Sequence, residues 1–353
     1  MFSSRTTEKS GQASKGASKK MLGLSVAAVA TVMLAGCGVG GPVQAGESNA
    51  AGANGDKVLR LAHVYEAGHP IEKCGVGTLK EELEGSGITV ESYPAAQLGS
   101  EAESLEQVAT GGLDMAIAGP SFLGVWHEPA AVLDGAYLFK DVDHFVETIE
   151  GPVMKKVYDD MNAETGIKVL SGWYYGTRHV TSNKEIKGPE DMQGIKIRTP
   201  DAPLYLTNTK IMGGTATPMA LDEVYLALQQ GVIDAQENPI PTIASAKFNE
   251  VQEHINLTGH MIQGVNIVTG SALYDSLPDD QKTALDSAMG AASDKVRECV
   301  ETEEKETLEE WKKGDGIKVN EDVDRDIFAE RAREMLPSEV SWGDLYKQIQ
   351  DAE

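Results

Sequence analysis

The chain has 353 residues, of which 41% are hydrophobic, and it carries a formal net charge of −24 at pH 7. A chain of this length can bury two separate hydrophobic cores. Its acidity argues against binding to nucleic acid and against adhesion to anionic lipid.

Residues 1–36 have the pattern of a secretion signal. The basic residues Lys15, Lys19 and Lys20 precede an apolar run that ends at small residues directly before Cys37. The pattern is typical of a cleaved signal peptide, and it resembles a bacterial lipobox, in which the new N-terminal cysteine carries lipid. An uncleaved anchor helix is the alternative, although the run is short for a span of ~20 residues. We expect the mature chain to lie outside the cytoplasm as a lipoprotein, attached to the membrane through Cys37.

Residues 37–56 are rich in Gly, Ala and Ser and lack a hydrophobic period, which predicts a flexible tether. Two cysteines follow the tether, Cys74 and Cys299. In an exported chain they could form one disulfide. Two buried free thiols are the alternative, and both remain open at the level of the sequence.

The first part of the body alternates between strand and helix patterns. Strands are predicted over residues 57–64, 88–93 and 113–118. A helix is predicted over residues 69–84. Ser100 is a candidate N-cap of the next helix, which ends at Gly111, and Glu103 completes a capping box. The alternation predicts a parallel sheet with helices on its faces.

The second part repeats this alternation and ends in a long helical segment. Strands are predicted over residues 167–174, 195–198 and 232–236, and helices over residues 202–212 and 221–230. Residues 278–313 suit one helix whose apolar stripe fades over residues 301–307 and then returns. A helix of this kind would cross between two domains, and two helices with a break between them are the alternative.

The sequence lacks the common motifs of metal-dependent, nucleotide-dependent and serine-dependent enzymes. None of the seven histidines lies in a metal-protease spacing or pairs with a cysteine at ligand spacing. The chain also lacks a phosphate-binding glycine loop between strand and helix, and a Gly-x-Ser-x-Gly elbow. We expect a protein that is not an enzyme and that has no metal and no cofactor.

Polar side chains follow the predicted strands at the points where the strands end. Tyr175 and Arg178 follow one strand, Arg198 ends another, and Asn238 follows a third. Ligands of open parallel sheets gather outside the carboxyl ends of the strands. An arginine can hold a carboxylate through two parallel charge-assisted hydrogen bonds, although a single arginine is more often a surface or structural ion pair. Two arginines at strand ends indicate a carboxylate site.

Six short motifs occur in order along the body. They cover residues 59–63, 94–99, 176–178, 194–198, 223–231 and 233–239. Together they resemble the solute-binding component of tripartite ATP-independent periplasmic (TRAP) transporters, over nearly all of residues 57–353. The resemblance implies an α/β fold of two domains, a periplasmic-binding-protein-like clamshell with hinge strands and one long helix that spans both domains. It places domain I at residues 57–175 plus about 264–303, and domain II at residues 176–263 plus about 304–353.

The resemblance also implies roles for residues in these motifs. Arg198 matches the arginine that clamps the ligand carboxylate, and Arg178 matches a second arginine that lines the site. Asn238 matches a residue that bonds the same carboxylate. Leu221 lies where an apolar or aromatic wall residue is found.

One departure from the family pattern bears on the ligand. Members similar to the sialate binders have an acid and an arginine where this chain has Gly119 and Phe122. We therefore expect a ligand smaller or less polar than sialate, such as a hexuronate or another hydroxylated carboxylate. Side chains that could stack on a sugar or an aromatic acid, or belong to the core instead, are Trp173, Tyr175 and Phe122. Weaker polar candidates at the end of the first strand are His63, Tyr65 and His69.

We expect the chain to capture an organic acid by domain closure and to deliver it to the integral membrane subunits of a TRAP permease. C4-dicarboxylates and aromatic acids are alternative ligands. A sensor subunit that presents its ligand to a membrane receptor is the alternative role. We expect no nucleic-acid partner, and contact with the membrane only through the lipid anchor.

Overall fold

A computed structural model describes residues 57–352. The predicted signal peptide, the lipidation site Cys37 and the predicted tether lie outside the described residues. Within residues 57–352, no helix is both long enough and apolar enough to span a membrane.

The described strands form one sheet in the order β2-β1-β3-β8-β4-β7-β5-β6, with β9 paired to β8. The strands are β1 (Lys57–Ala62), β2 (Ile88–Tyr93), β3 (Met115–Ala118), β4 (Ile167–Ser182), β5 (Lys196–Thr199), β6 (Thr215–Pro218), β7 (Ala235–Pro239), β8 (His254–Gly270) and β9 (Lys318–Asn320). β1 runs parallel to β2 and β3, and β5 runs parallel to β6 and β7. β4 and β8 are antiparallel to each other. The predicted parallel sheet is therefore confirmed on the two flanks and wrong at the centre.

We call the part of the molecule built on β1–β3 the first lobe and the part built on β5–β7 the second lobe. β4 and β8 run through both lobes. The strand predicted over residues 167–174 does not stop there, because Gly176, at a φ of +129°, takes up a register shift and the strand continues to Ser182. β8 was not among the strands predicted from the pattern, because it is buried along most of its length and does not alternate.

Helices pack against the strands of both lobes. They are α1 (Gly77–Glu82), α2 (Glu101–Thr110), α3 (Pro120–Leu123), α4 (Val142–Glu150), α5 (Pro152–Thr165), α6 (Pro203–Met212), α7 (Val224–Gln229), α8 (Ile240–Ser245), α9 (Ser271–Ser276), α10 (Asp279–Lys313), α11 (Arg325–Glu339) and α12 (Gly343–Gln350). A π-helical segment, Ile71–Val76, leads into α1. Three 3₁₀ segments are Glu128–Asp134, Leu221–Glu223 and Phe248–Glu250. The capping box of Ser100 and Glu103 is confirmed at the start of α2.

The long helix α10 is continuous over 35 residues, so the alternative of two helices with a break is wrong. Its N-terminal part buries Leu285, Met289 and Val296 in the core of the first lobe. Its C-terminal part packs Leu308 and Trp311 against a cluster of the second lobe. This arrangement confirms the prediction of a helix that spans both lobes. The domain boundaries given above stay a prediction.

Cys74 and Cys299 form a disulfide, with a Cα–Cα distance of 6.6 Å. The bond joins the π-helical segment of the first lobe to α10. Of the two states that the sequence left open, the structure therefore has the disulfide. It attaches α10 to the first lobe just before the helix passes to the second.

Candidate ligand-binding site

A small cavity lies between the two lobes, beside the middle of β4 and β8. Six of the residues predicted from the sequence line it: Tyr65, Tyr175, Arg178, Arg198, Leu221 and Asn238. They come from both lobes and from the long strands that join the lobes. A ligand in this cavity would therefore contact both lobes at once.

Arg198 lies in β5 and is 2% exposed. Its Nε and Nη2 atoms both donate to the carbonyl oxygen of Met219, at 2.9 and 2.6 Å. Its Nη1 atom is buried and has no hydrogen-bond partner among the described residues. Burial lowers the pKa of the guanidinium to about 10, which leaves it charged at neutral pH. The cavity therefore contains a cation whose hydrogen bonds are incomplete.

Arg178 is also buried, but its charge is already paired. Its Nε and Nη2 atoms donate to the two carboxylate oxygens of Glu237, at 2.5 and 2.7 Å, and its Nη1 atom donates to Gln263 Oε1 at 2.6 Å. His260 donates from Nε2 to the same carboxylate at 3.0 Å. The ion pair with Glu237, together with nearby tyrosines, raises the pKa of Arg178 despite its burial. The free cation of the cavity is therefore Arg198.

Asn238 lies inside β7 rather than after it, which corrects the predicted strand. Residues 232–234 belong to the turn that follows α7, where the backbone N–H of Val232 donates to the carbonyl of Ala227 at 2.9 Å. β7 consequently starts later and includes Asn238, which pairs with His179 of β4. Arg178 likewise lies inside β4. Both side chains thus come from the strands themselves and not from loops that follow them.

The sequence did not identify Glu101, Tyr205 and Gln263 as lining residues. Glu101 is the first residue of α2, and its Oε1 atom accepts the backbone N–H of Gly119 at 3.2 Å. Burial raises the pKa of Glu101 to about 7. Gln263 donates to Tyr205 Oη at 2.6 Å and to the buried Asp134 at 2.7 Å. The capping box places Glu101 at the start of α2, but the sequence pattern does not show that the start of α2 faces the cavity.

Three of the predicted site residues lie outside the cavity. Trp173 is fully buried, and its ring packs beside Gly75 and Val296. Phe122 is 6% exposed, its ring centroid is 6.3 Å from that of Tyr205, and it does not line the cavity. The structure therefore places both aromatic residues in the core of the first lobe.

The third is His63, which is buried in the first lobe. Its Nε2 atom is 2.9 Å from Glu72 Oε2, and its Nδ1 atom accepts the backbone N–H of Tyr65. Both ring nitrogens are occupied within the first lobe. His63 is therefore not placed to contact a ligand in the cavity.

The sequence matches the family model described as bacterial extracellular solute-binding protein, family 7, over residues 62–341. The sialic acid-binding periplasmic protein SiaP of Vibrio cholerae is 34% identical over 275 residues, which cover 77% of this chain and 85% of that protein. The 2,3-diketo-L-gulonate-binding periplasmic protein YiaO of Escherichia coli is 32% identical over 284 residues, which cover 78% of this chain and 85% of that protein. A TRAP periplasmic solute-binding protein of Actinobacillus succinogenes, solved with bound L-galactonate, has a TM-score of 0.79 and 29% identity, and the match covers 84% of this chain and 98% of that one.

Proposed function

The chain belongs to the bacterial extracellular solute-binding protein family 7, and on this basis we propose that it binds a sugar acid with one carboxylate and delivers it to a TRAP membrane permease. The resemblance to TRAP solute-binding proteins that the motifs predicted is confirmed, and with it the two-domain fold. Members of the family are extracytoplasmic binding proteins and not enzymes.

The observation that carries this proposal is the free Nη1 group of Arg198. A buried charge is costly unless it is paired and hydrogen-bonded. Arg198 has only the carbonyl of Met219 as a partner, and no carboxylate of residues 57–352 lies within 4.0 Å of its nitrogens. A ligand carboxylate at Nη1 would supply the missing counter-charge and the missing hydrogen bond together. We therefore assign Arg198 as the residue that holds the carboxylate.

The charges around the cavity favour one carboxylate over two. Arg178 is neutralised by Glu237, so Arg198 contributes the one unpaired positive charge among the described lining residues. Glu101 lies in the same lining, and its raised pKa marks a place where a second negative charge would be unfavourable. A C4-dicarboxylate would bring two negative charges to one cation. A sugar acid brings one, together with hydroxyl groups that Glu101 can bind.

The walls of the cavity agree with this ligand class. Tyr65, Tyr205 and Leu221 line the cavity with aromatic and aliphatic side chains. Such side chains can pack against the C–H groups of a sugar acid.

Delivery requires that the lobes open and close around the bound acid. β4 and β8 are the long strands that join the lobes, and domain closure about such hinge segments is the usual motion of these binding proteins. We place the mature chain at the membrane through a lipid on Cys37, with residues 38–56 as the tether. Uptake of the acid into proteoliposomes that contain the cognate permease supports transport. Binding without uptake, together with receptor activation, supports the sensor role instead.

The test is a thermal-shift and calorimetric screen against hexuronates, aldonates, sialate, C4-dicarboxylates and aromatic acids. A ligand at 100 times its Kd adds about 2.7 kcal/mol to stability. Removing one partner of a buried pair costs roughly 3–5 kcal/mol, so Arg198→Ala should weaken a Kd of about 1 μM to roughly 0.2–5 mM. Arg60→Ala is the matched control, because Arg60 pairs with Asp114 outside the cavity. An Arg198→Ala variant that binds within a few-fold of wild type would falsify the assignment.

A further inference from the structure

His69 makes a buried contact that the binding site itself does not explain. It precedes the π-helical segment of the first lobe, and its side chain is fully buried. The backbone N–H of Ile71 donates to its Nδ1 atom at 3.1 Å, so the ring proton is on Nε2. Nε2 lies 3.1 Å from the hydroxyl of Thr242 and donates to it. Burial lowers the pKa of His69 to about 3, which agrees with a neutral ring.

The two partners of this hydrogen bond belong to different lobes. His69 is followed by Ile71, which lies in the core of the first lobe. Thr242 lies in α8 between Ile240 and Ile243, which belong to a core cluster of the second lobe. Because the bond joins the lobes, a separation of the lobes at this point would break it.

Aromatic packing holds the histidine ring at this position. The ring packs against those of Tyr65 and Tyr175, with centroid distances of 5.1 and 5.5 Å, and the two tyrosine rings contact each other at 5.0 Å. His69 and Thr242 line a second cavity, which shares Tyr65 and Leu221 with the ligand cavity. Neither His69 nor Thr242 lines the ligand cavity itself. The hydrogen bond between His69 and Thr242 therefore forms without any contribution from a ligand atom.

A chain of hydrogen bonds connects this contact to the ligand cavity. The Thr242 hydroxyl donates to Tyr175 Oη at 2.6 Å, and Tyr175 donates to Asn238 Oδ1 at 3.3 Å. Asn238 Nδ2 donates to Gln236 Oε1 at 2.7 Å. The direction of these hydrogen bonds makes Asn238 Oδ1 an acceptor, and the second N–H of Asn238 Nδ2 remains for the cavity. Asn238 is thereby oriented as a donor, which is the role that a ligand carboxylate needs.

We propose that His69 and Thr242 form a closure contact, which holds the lobes together around the bound acid and orients Asn238 through Tyr175. The inference rests on the proposed function, because a closure contact has a role only if the cleft opens to take up a ligand. His69 acts here as a positioning residue that does not touch the ligand. Loss of the contact is expected to speed ligand release and to leave ligand capture unchanged.

The test measures association and dissociation rates by stopped flow on the full-length protein. The probe is L-galactonate, or the sugar acid of the panel above with the lowest Kd. His69→Phe keeps an aromatic ring against the two tyrosines and removes the donor, and Thr242→Val keeps the shape and removes the hydroxyl. His69→Phe should raise the dissociation rate roughly fivefold, the equivalent of one neutral hydrogen bond, and Thr242→Val, which also removes the bond to Tyr175, should raise it by at least as much. The association rate should be unchanged in both variants. The double variant should release the acid no faster than the faster single variant, and Thr242→Ser should restore the wild-type rate.

Thr269→Val is the matched control. Thr269 is a buried threonine of the first lobe whose hydroxyl donates to the carbonyl of Asp114 at 2.8 Å, away from both cavities. It should lower the melting temperature and leave both rates unchanged. Wild-type dissociation rates in His69→Phe and Thr242→Val, or additive effects in the double variant, overturn the closure contact and leave the proposed function standing. A wild type that binds no acid of the panel overturns the proposed function and this inference with it.

Discussion

Glu237→Gln tests the finding that Arg178 is held by an internal carboxylate. Glu237 is 4% exposed and accepts three hydrogen bonds: two from Arg178, at 2.5 and 2.7 Å, and one from His260 at 3.0 Å. The glutamine amide has one acceptor oxygen in place of two charged ones, and its NH₂ group would face a donor. The substitution therefore leaves the Arg178 cation without a counter-charge in a buried site.

The expected cost is about 3–5 kcal/mol, which is typical when one partner of a buried ion pair is removed. At roughly 2 °C per kcal/mol for a protein of this size, the melting temperature should fall by about 6–10 °C. Scanning calorimetry of the ligand-free protein measures this shift. Glu91→Gln is the control, because Glu91 is exposed and its loss should cost within about 0.5 kcal/mol.

The pH dependence gives a second readout of the same pair. Burial raises the pKa of Glu237, but Arg178 and His260 outweigh that effect and lower it to about 2. A carboxyl group with a depressed pKa stabilises the fold above its unfolded pKa of ~4.3, and that contribution is lost as the pH falls toward 2. The difference between wild type and Glu237→Gln should therefore be full at pH 7 and shrink below pH 4.

Two results would refute this reasoning. One is a Glu237→Gln variant that melts within 2 °C of wild type at pH 7. The other concerns the double variant Arg178→Met/Glu237→Gln, which removes the unpaired cation and should melt above Glu237→Gln alone. If the double variant melts lower than Glu237→Gln, the unpaired charge is not the source of the cost.

Three further predictions follow from single features. The pKa of Glu101 is raised to about 7 by burial, so its charge destabilises the fold as the pH rises from ~4.3 through 7. Glu101→Gln should therefore be more stable than wild type by ~1–2 kcal/mol in denaturant unfolding at pH 8. A difference between variant and wild type that is the same at pH 5 and at pH 8 would contradict this. Gly176→Ala should cost about 2–4 kcal/mol by thermal melting, because its φ is +129° and an added Cβ would lie 2.6 Å from Pro239; a wild-type melting temperature would show that β4 has no such constraint. Reduction of the Cys74–Cys299 disulfide should cost roughly 2–5 kcal/mol, measured against a Cys74→Ser/Cys299→Ser variant that reductant should leave unchanged.

Patterns between near neighbours in the sequence were enough for most of the regular structure. The capping box of Ser100 and Glu103, the continuous α10 and the first two strands were predicted from spacings of a few residues. Errors occurred where a strand partner overrode the local signal. The strand was predicted to end at residue 174, yet β8 pairs with β4 on both sides of Gly176.

The site residues also divide into those that local motifs identified and those pairings that only the structure shows. The motifs identified Arg198, Arg178 and Asn238, and all three line the cavity. No local pattern showed that Arg178 is paired with Glu237, which lies 59 positions away in the sequence. Of the two roles that the sequence left open for Trp173, ligand wall or core, its position favours the core, since its ring fills the space beside Gly75.

The sequence by itself determined the fold class and the family, because periodicity, caps and short motifs depend on neighbours a few positions apart. Tertiary structure alone decided that Arg178 is paired with Glu237 while Arg198 has no counter-charge among the described lining residues, and which segments meet between the lobes. Those pairings join distant segments: His69 to Thr242 over 173 positions, and Cys74 to Cys299 over 225. They form only when strands and helices pack, because packing sets which buried polar groups must satisfy one another.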